Sequence, residues 1–181
     1  VFLGTRKGKA IRFHEDDVRP TGRVSRGVTG IRMAKDDAVV GMEIPTDGNT
    51  IVAVSEKGYG KRTYVAEYPV HGRGGKGVVN LNTVPKVGSV SGLLQVVGNE
   101  DLILMSNAGK IIRLRVEEVP LVHRASQGVK LIDLEDEERL VGVARVDREE
   151  ESRDVDGLED ENGDITPEMD MLPGIIDGDE E

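Results

Sequence analysis

Cysteine and tryptophan are absent from the 181 residues, and aromatic residues amount to only 3%. Without cysteine there is no disulfide framework, no thiolate metal site and no cysteine nucleophile. With so few aromatic rings, a large core built on ring packing is excluded. No apolar run approaches the roughly 20 residues of a membrane-spanning helix. No stretch combines a charged start, an apolar middle and a small-residue cleavage site, so no secretory signal is visible. The chain opens on Val1-Phe2-Leu3, already inside an apolar run, and this predicts a piece of a longer protein. Sustained helical periodicity is also missing from the first 146 residues, which speaks against a helical protein.

Charge is present but unevenly placed. Residues 147–181 hold 16 acidic and 2 basic side chains, a net −14. The preceding 146 residues hold 22 basic and 18 acidic ones, a net +4, so the overall −10 describes neither part. The acidic segment has no period and no aromatic residue. Such a composition buries too little apolar surface to offset the entropy of ordering, and predicts a disordered tail. Its small apolar cluster, Met169 to Leu172 with Ile175-Ile176, does not change that reading.

The body repeats. Val1-Phe2-Leu3 recurs as Ile51-Val52-Ala53-Val54 and as Leu102-Ile103-Leu104-Met105. Glycine with arginine four residues later recurs as Gly8…Arg12, Gly58…Arg62 and Gly109…Arg113. Arginine with a following Gly-Val recurs as Arg23…Gly27-Val28, Arg73…Gly77-Val78 and Arg124…Gly128-Val129. Each copy closes on an apolar run holding one glycine, at Gly41, Gly92 and Gly142. Corresponding positions lie 50 or 51 residues apart. Within each copy the apolar runs are short, rich in Val, Ile and Leu, and separated by Gly, Asp, Asn and Pro, which is strand-and-turn patterning. Ser55–Gly60 and Ser106–Gly109 read as hairpin turns. About four strands per repeat predict a blade, and blades complete one another's cores by stacking. The fold class is therefore all-β: three blades of propeller-like, β-pinwheel type over about 1–48, 49–99 and 100–146, followed by the acidic tail over 147–181.

Several motifs fail on inspection. Gly72-Arg73-Gly74-Gly75-Lys76-Gly77 matches a dinucleotide fingerprint in letters, but no helix follows it. Gly58-Tyr59-Gly60-Lys61-Arg62-Thr63 has Arg where a phosphate loop needs Ser or Thr. Asp154-Val155-Asp156-Gly157 has too few ligands for a calcium loop. His14, His71 and His123 lack metal-ligand spacing and read as solvated turn residues. No metal site, no cofactor and no catalytic residue is expected.

What remains is recurrent positive charge. One set flanks the hairpins: Arg6, Lys7, Lys9 and Arg12; Lys57, Lys61 and Arg62; Lys110, Arg113 and Arg115. The other lies in the glycine-containing loops: Arg19, Arg23, Arg26 and Arg32; Arg73 and Lys76; Arg124 and Lys130. Repeating the blades repeats the charge in space, which predicts a basic stripe suited to the phosphates of a bent duplex. Glycine lets backbone N–H groups come close to phosphate oxygens. The expected DNA-binding residues are Arg6, Lys9, Arg12, Arg23, Arg26, Lys61, Arg62, Arg73, Lys76, Lys110, Arg113, Arg115, Arg124 and Lys130. For Arg12, Arg62 and Arg113 an equal alternative is a salt bridge between blades. A non-enzymatic propeller-like scaffold that meets an acidic protein partner is the competing class.

Three strings carry a family resemblance: Val18-Arg19-Pro20-Thr21-Gly22-Arg23 with Gly27 to Arg32, Lys57 to Thr63 with Glu67-Tyr68-Pro69, and Gly72 to Val78. They resemble the C-terminal domain of the DNA gyrase A protein. The resemblance implies a six-bladed β-pinwheel with strands exchanged between neighbouring blades, of which this chain holds the last three plus the tail. It implies wrapping of double-stranded DNA with positive handedness, in support of ATP-dependent negative supercoiling. Its implied partners are the remainder of the gyrase A protein, together with the gyrase B protein, in an A2B2 heterotetramer. Those parts bind ATP and Mg and carry the catalytic tyrosine. Tyr59, Tyr64 and Tyr68 are not that tyrosine. The implied location is the cytoplasm, with the nucleoid, and no membrane. The family's box, Gln-Arg-Arg-Gly-Gly-Lys-Gly, is met here by a degenerate copy at Gly72, Arg73, Gly74, Gly75, Lys76 and Gly77, preceded by His71. The acidic tail is expected to compete with DNA for the basic rim. The homologous domain of topoisomerase IV is the nearest alternative, disfavoured by the box-like loop and the tail.

Overall fold

Each hairpin of the body is built by the same local chemistry. A strand ends on a buried hydroxyl, at Thr5, Ser55 or Ser106, which accepts a hydrogen bond from the backbone N–H four residues on (Lys9, Tyr59 and Lys110; 3.2, 3.1 and 3.2 Å). Between them a glycine turns the chain through left-handed φ values of 77°, 79° and 83° at Gly8, Gly58 and Gly109, where a side chain would be strained. The strands follow as β1 Phe2–Thr5, β2 Lys9–Arg12, β3 Val39–Glu43, β4 Thr50–Ser55, β5 Tyr59–Tyr64, β6 Val78–Val79, β7 Val90–Val96, β8 Glu100–Ser106, β9 Ile111–Arg115, β10 Val129–Lys130 and β11 Leu140–Asp147. After β2, β5 and β9 comes a single 3-10 turn, at Glu15–Asp17, Val65–Glu67 and Val116–Glu118. These are the only helical elements among the described residues. A computed structural model describes residues 1–148 of the chain. Of the expected disordered acidic tail, 147–181, Asp147 instead ends strand β11 opposite Glu100 and Arg148 pairs with Asp101; the remainder, 149–181, lies outside the described residues.

The strands form three antiparallel sheets, ordered β3-β1-β2-β6, β10-β5-β4-β7 and β11-β8-β9. The all-β blade expectation is borne out. The outer strand of the first sheet, β6, belongs by sequence to the second repeat, where Val78 pairs with Ala10 and Val79 with Lys9. In the second sheet β10 comes from the third repeat, with Val129 opposite Gly60 and Lys130 opposite Tyr59. The structure thus shows strand exchange between neighbouring blades.

The exchange explains the Gly-Val marker. Gly77 and Gly128 have φ of 68° and 74°, and a Cβ on either would collide with a backbone carbonyl oxygen, that of Ala10 or of Gly60. Only glycine lets the exchanged strand come that close to the strand it joins. The arginine of the marker anchors the same loop. Arg73 donates from Nη1 to the Thr29 carbonyl (2.7 Å) and Arg124 to the Val79 carbonyl (3.2 Å), 50 residues further on. Their backbone N–H groups donate to Asp17 and Glu67, in each case in the 3-10 turn of the preceding repeat.

The core lies between successive blades. Strand β4 is buried at all six positions because it has a blade on either face, so its sequence is a continuous apolar run without alternation. One cluster joins Phe2 and Ala10 of the first repeat to Ile51, Val65, Tyr68 and Leu93 of the second. There the Tyr68 ring meets Phe2 edge-on at 4.8 Å, and its hydroxyl donates to Asn80. Burial raises the Tyr68 phenol above its ordinary pKa. Another cluster joins Val52, Val54 and Val96 to Leu102, Leu104 and Leu140. The closing glycines make room for the next blade: a Cβ on Gly92 would run into Val143, and one on Gly41 would lie 3.1 Å from Leu93.

Candidate nucleic-acid interface

The basic residues expected on the rim fall into four physical states. Lys61 lies inside the protein. It is fully buried, and its ammonium donates to the carbonyls of His123 (2.9 Å) and Arg124. The corresponding positions in the other repeats are Ile11 and Ile112. Burial lowers its pKa to about 8, partly offset by the nearby Glu67 carboxylate. The third repeat covers this site, so Lys61 tethers two blades and does not reach an external phosphate.

A second group is held by backbone carbonyls of the neighbouring repeat. Arg12 donates to Val65 (3.4 Å) and pairs with Asp47 at 2.6 Å. Arg62 donates to Val119 (2.8 Å) and Glu117 (3.4 Å). Both therefore link blades, Arg62 without an acidic partner among the described residues. Arg73 and Arg124 belong here through the loop anchors, and Arg73 also donates to the Asp17 carbonyl at 3.1 Å. Arg6 donates to the Asp36 carbonyl within its own repeat (2.7 Å) but stays exposed.

The third group faces carboxylates, almost all in the third repeat. Arg113 pairs with Asp101 at 2.7 Å, within one sheet. Burial opposes ionisation of Asp101, but hydrogen bonds from Arg113 and Arg148 outweigh it and hold the carboxyl below its ordinary pKa. Lys110 pairs with Glu138 at 3.3 Å. The Glu135 N–H, with help from Lys110, holds Glu138 below the ordinary range against the opposing effect of burial. Lys130 pairs with Asp133 at 3.0 Å, and that hydrogen bond raises the lysine's pKa. Arg115 is exposed and has its backbone N–H held by Glu118 at 3.3 Å.

The fourth group is exposed and has no side-chain partner among the described residues: Lys9, Arg19, Arg23, Arg26, Arg32 and Lys76. Lys35 and Lys86 share this state, although no sequence pattern singles them out. Of the box-like loop, a Cβ on Gly72 would meet open space, one on Gly75 would meet Ile11 in ordinary contact, and Lys76 is exposed. Gly74 has a left-handed φ of 77°, and its N–H donates to the Gly30 carbonyl at 2.7 Å. His14, His71 and His123 are exposed, with His123 3.3 Å from Glu67. No group of three His, Asp or Glu side chains able to hold a metal is found among the described residues. No helix there is long and apolar enough to cross a membrane.

Exchanged-strand blades whose loops expose cations without side-chain partners among the described residues define a β-pinwheel. The chain belongs to the family of the DNA gyrase C-terminal domain, beta-propeller, which it matches over residues 1–46, 49–96 and 100–147, one stretch per repeat. It is 46% identical over 156 residues to the DNA gyrase A protein of Deinococcus deserti, covering 83% of this chain and 19% of that protein. The solved C-terminal domain of DNA topoisomerase IV superposes with a TM-score of 0.76 at 26% identity, covering 81% of this chain and 46% of that one. The solved DNA gyrase A C-terminal domain gives 0.69 at 28%, covering 80% and 49%. The chain thus spans about a fifth of the length of the curated relative.

Proposed function

We propose that this chain is the DNA-binding and DNA-wrapping segment of a gyrase A protein, acting within an ATP-dependent type IIA topoisomerase. The observation that carries this reading is the set of exposed cations in the glycine-containing loops that have no side-chain partner among the described residues. Solvent-facing protein cations that neutralise phosphates displace the small cations condensed on the duplex, and the release of those ions drives binding without sequence preference. Of the carboxylate-paired cations of the third repeat, Lys130 faces the exposed Asp133 in a surface ion pair that adds little to stability, whereas Arg113 and Lys110 face the largely buried carboxylates of Asp101 and Glu138. Strand cleavage, ATP and Mg binding, and contacts with the gyrase B protein belong in this proposal to the rest of an A2B2 heterotetramer. No catalytic role falls on this chain, and its place is the bacterial cytoplasm with the nucleoid. The acidic residues 147–181, at −14, compete with DNA for the same cations.

The test is DNA affinity against salt. With about six phosphates neutralised, log K falls against log salt with a slope near −5, and removing 147–181 tightens binding. A flat salt response refutes the DNA reading and favours a protein-binding scaffold. An unchanged affinity after truncation refutes tail competition. A second reading, the homologous domain of topoisomerase IV, draws on the 0.76 superposition. The 46% identity to a gyrase A protein favours the first.

A further inference from the structure

The three blades do not present equal charge at their junctions. Between the first and second blades lies a groove of about 530 Å³. It is lined on one wall by Lys7 and Lys9 of the β1–β2 hairpin, on another by Arg32, and on the third by Lys76 of the box-like loop. Its one acid, Asp37, already accepts hydrogen bonds from the Lys7 and Ala38 N–H groups at 2.9 Å. The Lys7 ammonium is held by the Lys35 carbonyl. Lys9, Arg32 and Lys76 are left exposed, with no side-chain partner among the described residues.

The next junction repeats the backbone but not the charge. Arg32 N–H donates to the Gly75 carbonyl (2.8 Å), and Asn82 N–H donates to the Ser126 carbonyl (3.0 Å), which fixes the equivalence of the two walls. By that equivalence Lys9 becomes Tyr59, Arg32 becomes Asn82 and Lys76 becomes Gln127. All three cations are lost together. The cleft beside Tyr59 sets Glu135, Asp136 and Glu138 against Lys57, Lys86, Lys130 and Arg139; Lys57 is held by the Pro85 carbonyl, Lys130 by Asp133 and Arg139 by the Asp136 and Glu138 carbonyls. In the third repeat the equivalents of Lys9 and Arg32 are Lys110 and Asp133, of opposite charge, and Lys110 already donates to the Asp133 carbonyl.

We propose that Lys9, Arg32 and Lys76 form a phosphate seat for the DNA backbone at the first junction, and that the grip weakens across the second. This rests on the DNA reading and deepens it. Three cations from three separate chain segments converge on one groove, so a phosphate bridging them also clamps the two blades. At the second junction Tyr59, Asn82 and Gln127 offer hydrogen bonds but no counterion release, and Lys86 is the one cation of that cleft left without a partner among the described residues. DNA is therefore held firmly on the first and second blades and loosely on the third, where it is easily displaced.

The experiment compares variants of the full-length protein in DNA binding across a salt series. Lys9→Gln/Arg32→Gln/Lys76→Gln is expected to flatten the log K against log salt slope by about 2 to 3, and to weaken binding roughly a hundredfold at about 0.1 M salt. Neutralising Lys110, Arg113 and Lys130 together is expected to change the slope by less than half as much. Conversely, Tyr59→Lys/Asn82→Arg/Gln127→Lys installs a second seat and steepens the slope. Circular dichroism of each variant confirms that the blades remain folded, and the charge-adding variant tests the seat without removing any residue from it. Equal losses from the two neutralised triples, or no gain from the added triple, overturn the seat while leaving the DNA reading intact. A parent protein whose binding ignores salt overturns the DNA reading itself.

Discussion

Replacing Gly77 by alanine tests whether strand exchange holds the blades together. The new Cβ would lie 2.5 Å from the Ala10 carbonyl oxygen and 3.0 Å from its carbon, with φ at 68°. Both contacts are backbone, so nothing flexible moves aside. The left-handed conformation costs roughly 1–2 kcal/mol with a side chain present, and a forced contact in a packed site about 1–3 kcal/mol. Together these give roughly 2–5 kcal/mol. At about 2–4 °C per kcal/mol for a chain of this size, the melting temperature falls by roughly 4–20 °C. Gly128→Ala at the second junction should behave alike, since its Cβ would collide with the Gly60 carbonyl oxygen. Gly72→Ala is the control: it lies in the same loop as Gly77, its φ is not left-handed and nothing comes within 4 Å of its Cβ. Differential scanning calorimetry of the three variants decides the matter. If Gly77→Ala melts within a degree or two of Gly72→Ala, the exchanged strand does not couple the blades.

Other perturbations separate structural cations from exposed ones. The Lys61 pKa near 8 lies below the 10.5 of an exposed lysine. Between these values the unfolded chain binds the extra proton, so this group's contribution to stability rises with pH over that window. The parent should therefore gain on Lys61→Met by roughly 3 kcal/mol between about pH 7 and 11 in urea titrations. A pH-independent difference would mean that the ammonium is not buried. Arg124→Met removes the bond to the Val79 carbonyl. It should cost about 1–2 kcal/mol of stability while changing the salt slope of DNA binding by well under one; the reverse pattern would make Arg124 a phosphate contact.

Where the interface places its charge follows from which cations folding consumes. Arg73 and Lys76 are three residues apart in one loop, yet one is spent on Asp17 and Thr29 while the other is exposed. The Arg in the repeating Arg–Gly-Val marker is thus explained by anchoring as much as by phosphate binding. Lys9 and Lys61, both placed on hairpin flanks by the sequence, end in opposite environments.

The repeat, the hairpins and the all-β class were legible in the sequence alone, because their causes are local. Gly8, Gly58 and Gly109 turn the chain within three residues of the hydroxyls that cap them, and the 50-residue spacing repeats that chemistry whatever lies around it. The family resemblance rests on the same short strings. Which cations stay free was decided only by tertiary structure. Lys61 is silenced by carbonyls 62 and 63 residues away, and Arg73 by one 44 residues away. Charge is written residue by residue, whereas burial and partnership depend on strands borrowed from the next blade, and no single repeat specifies those.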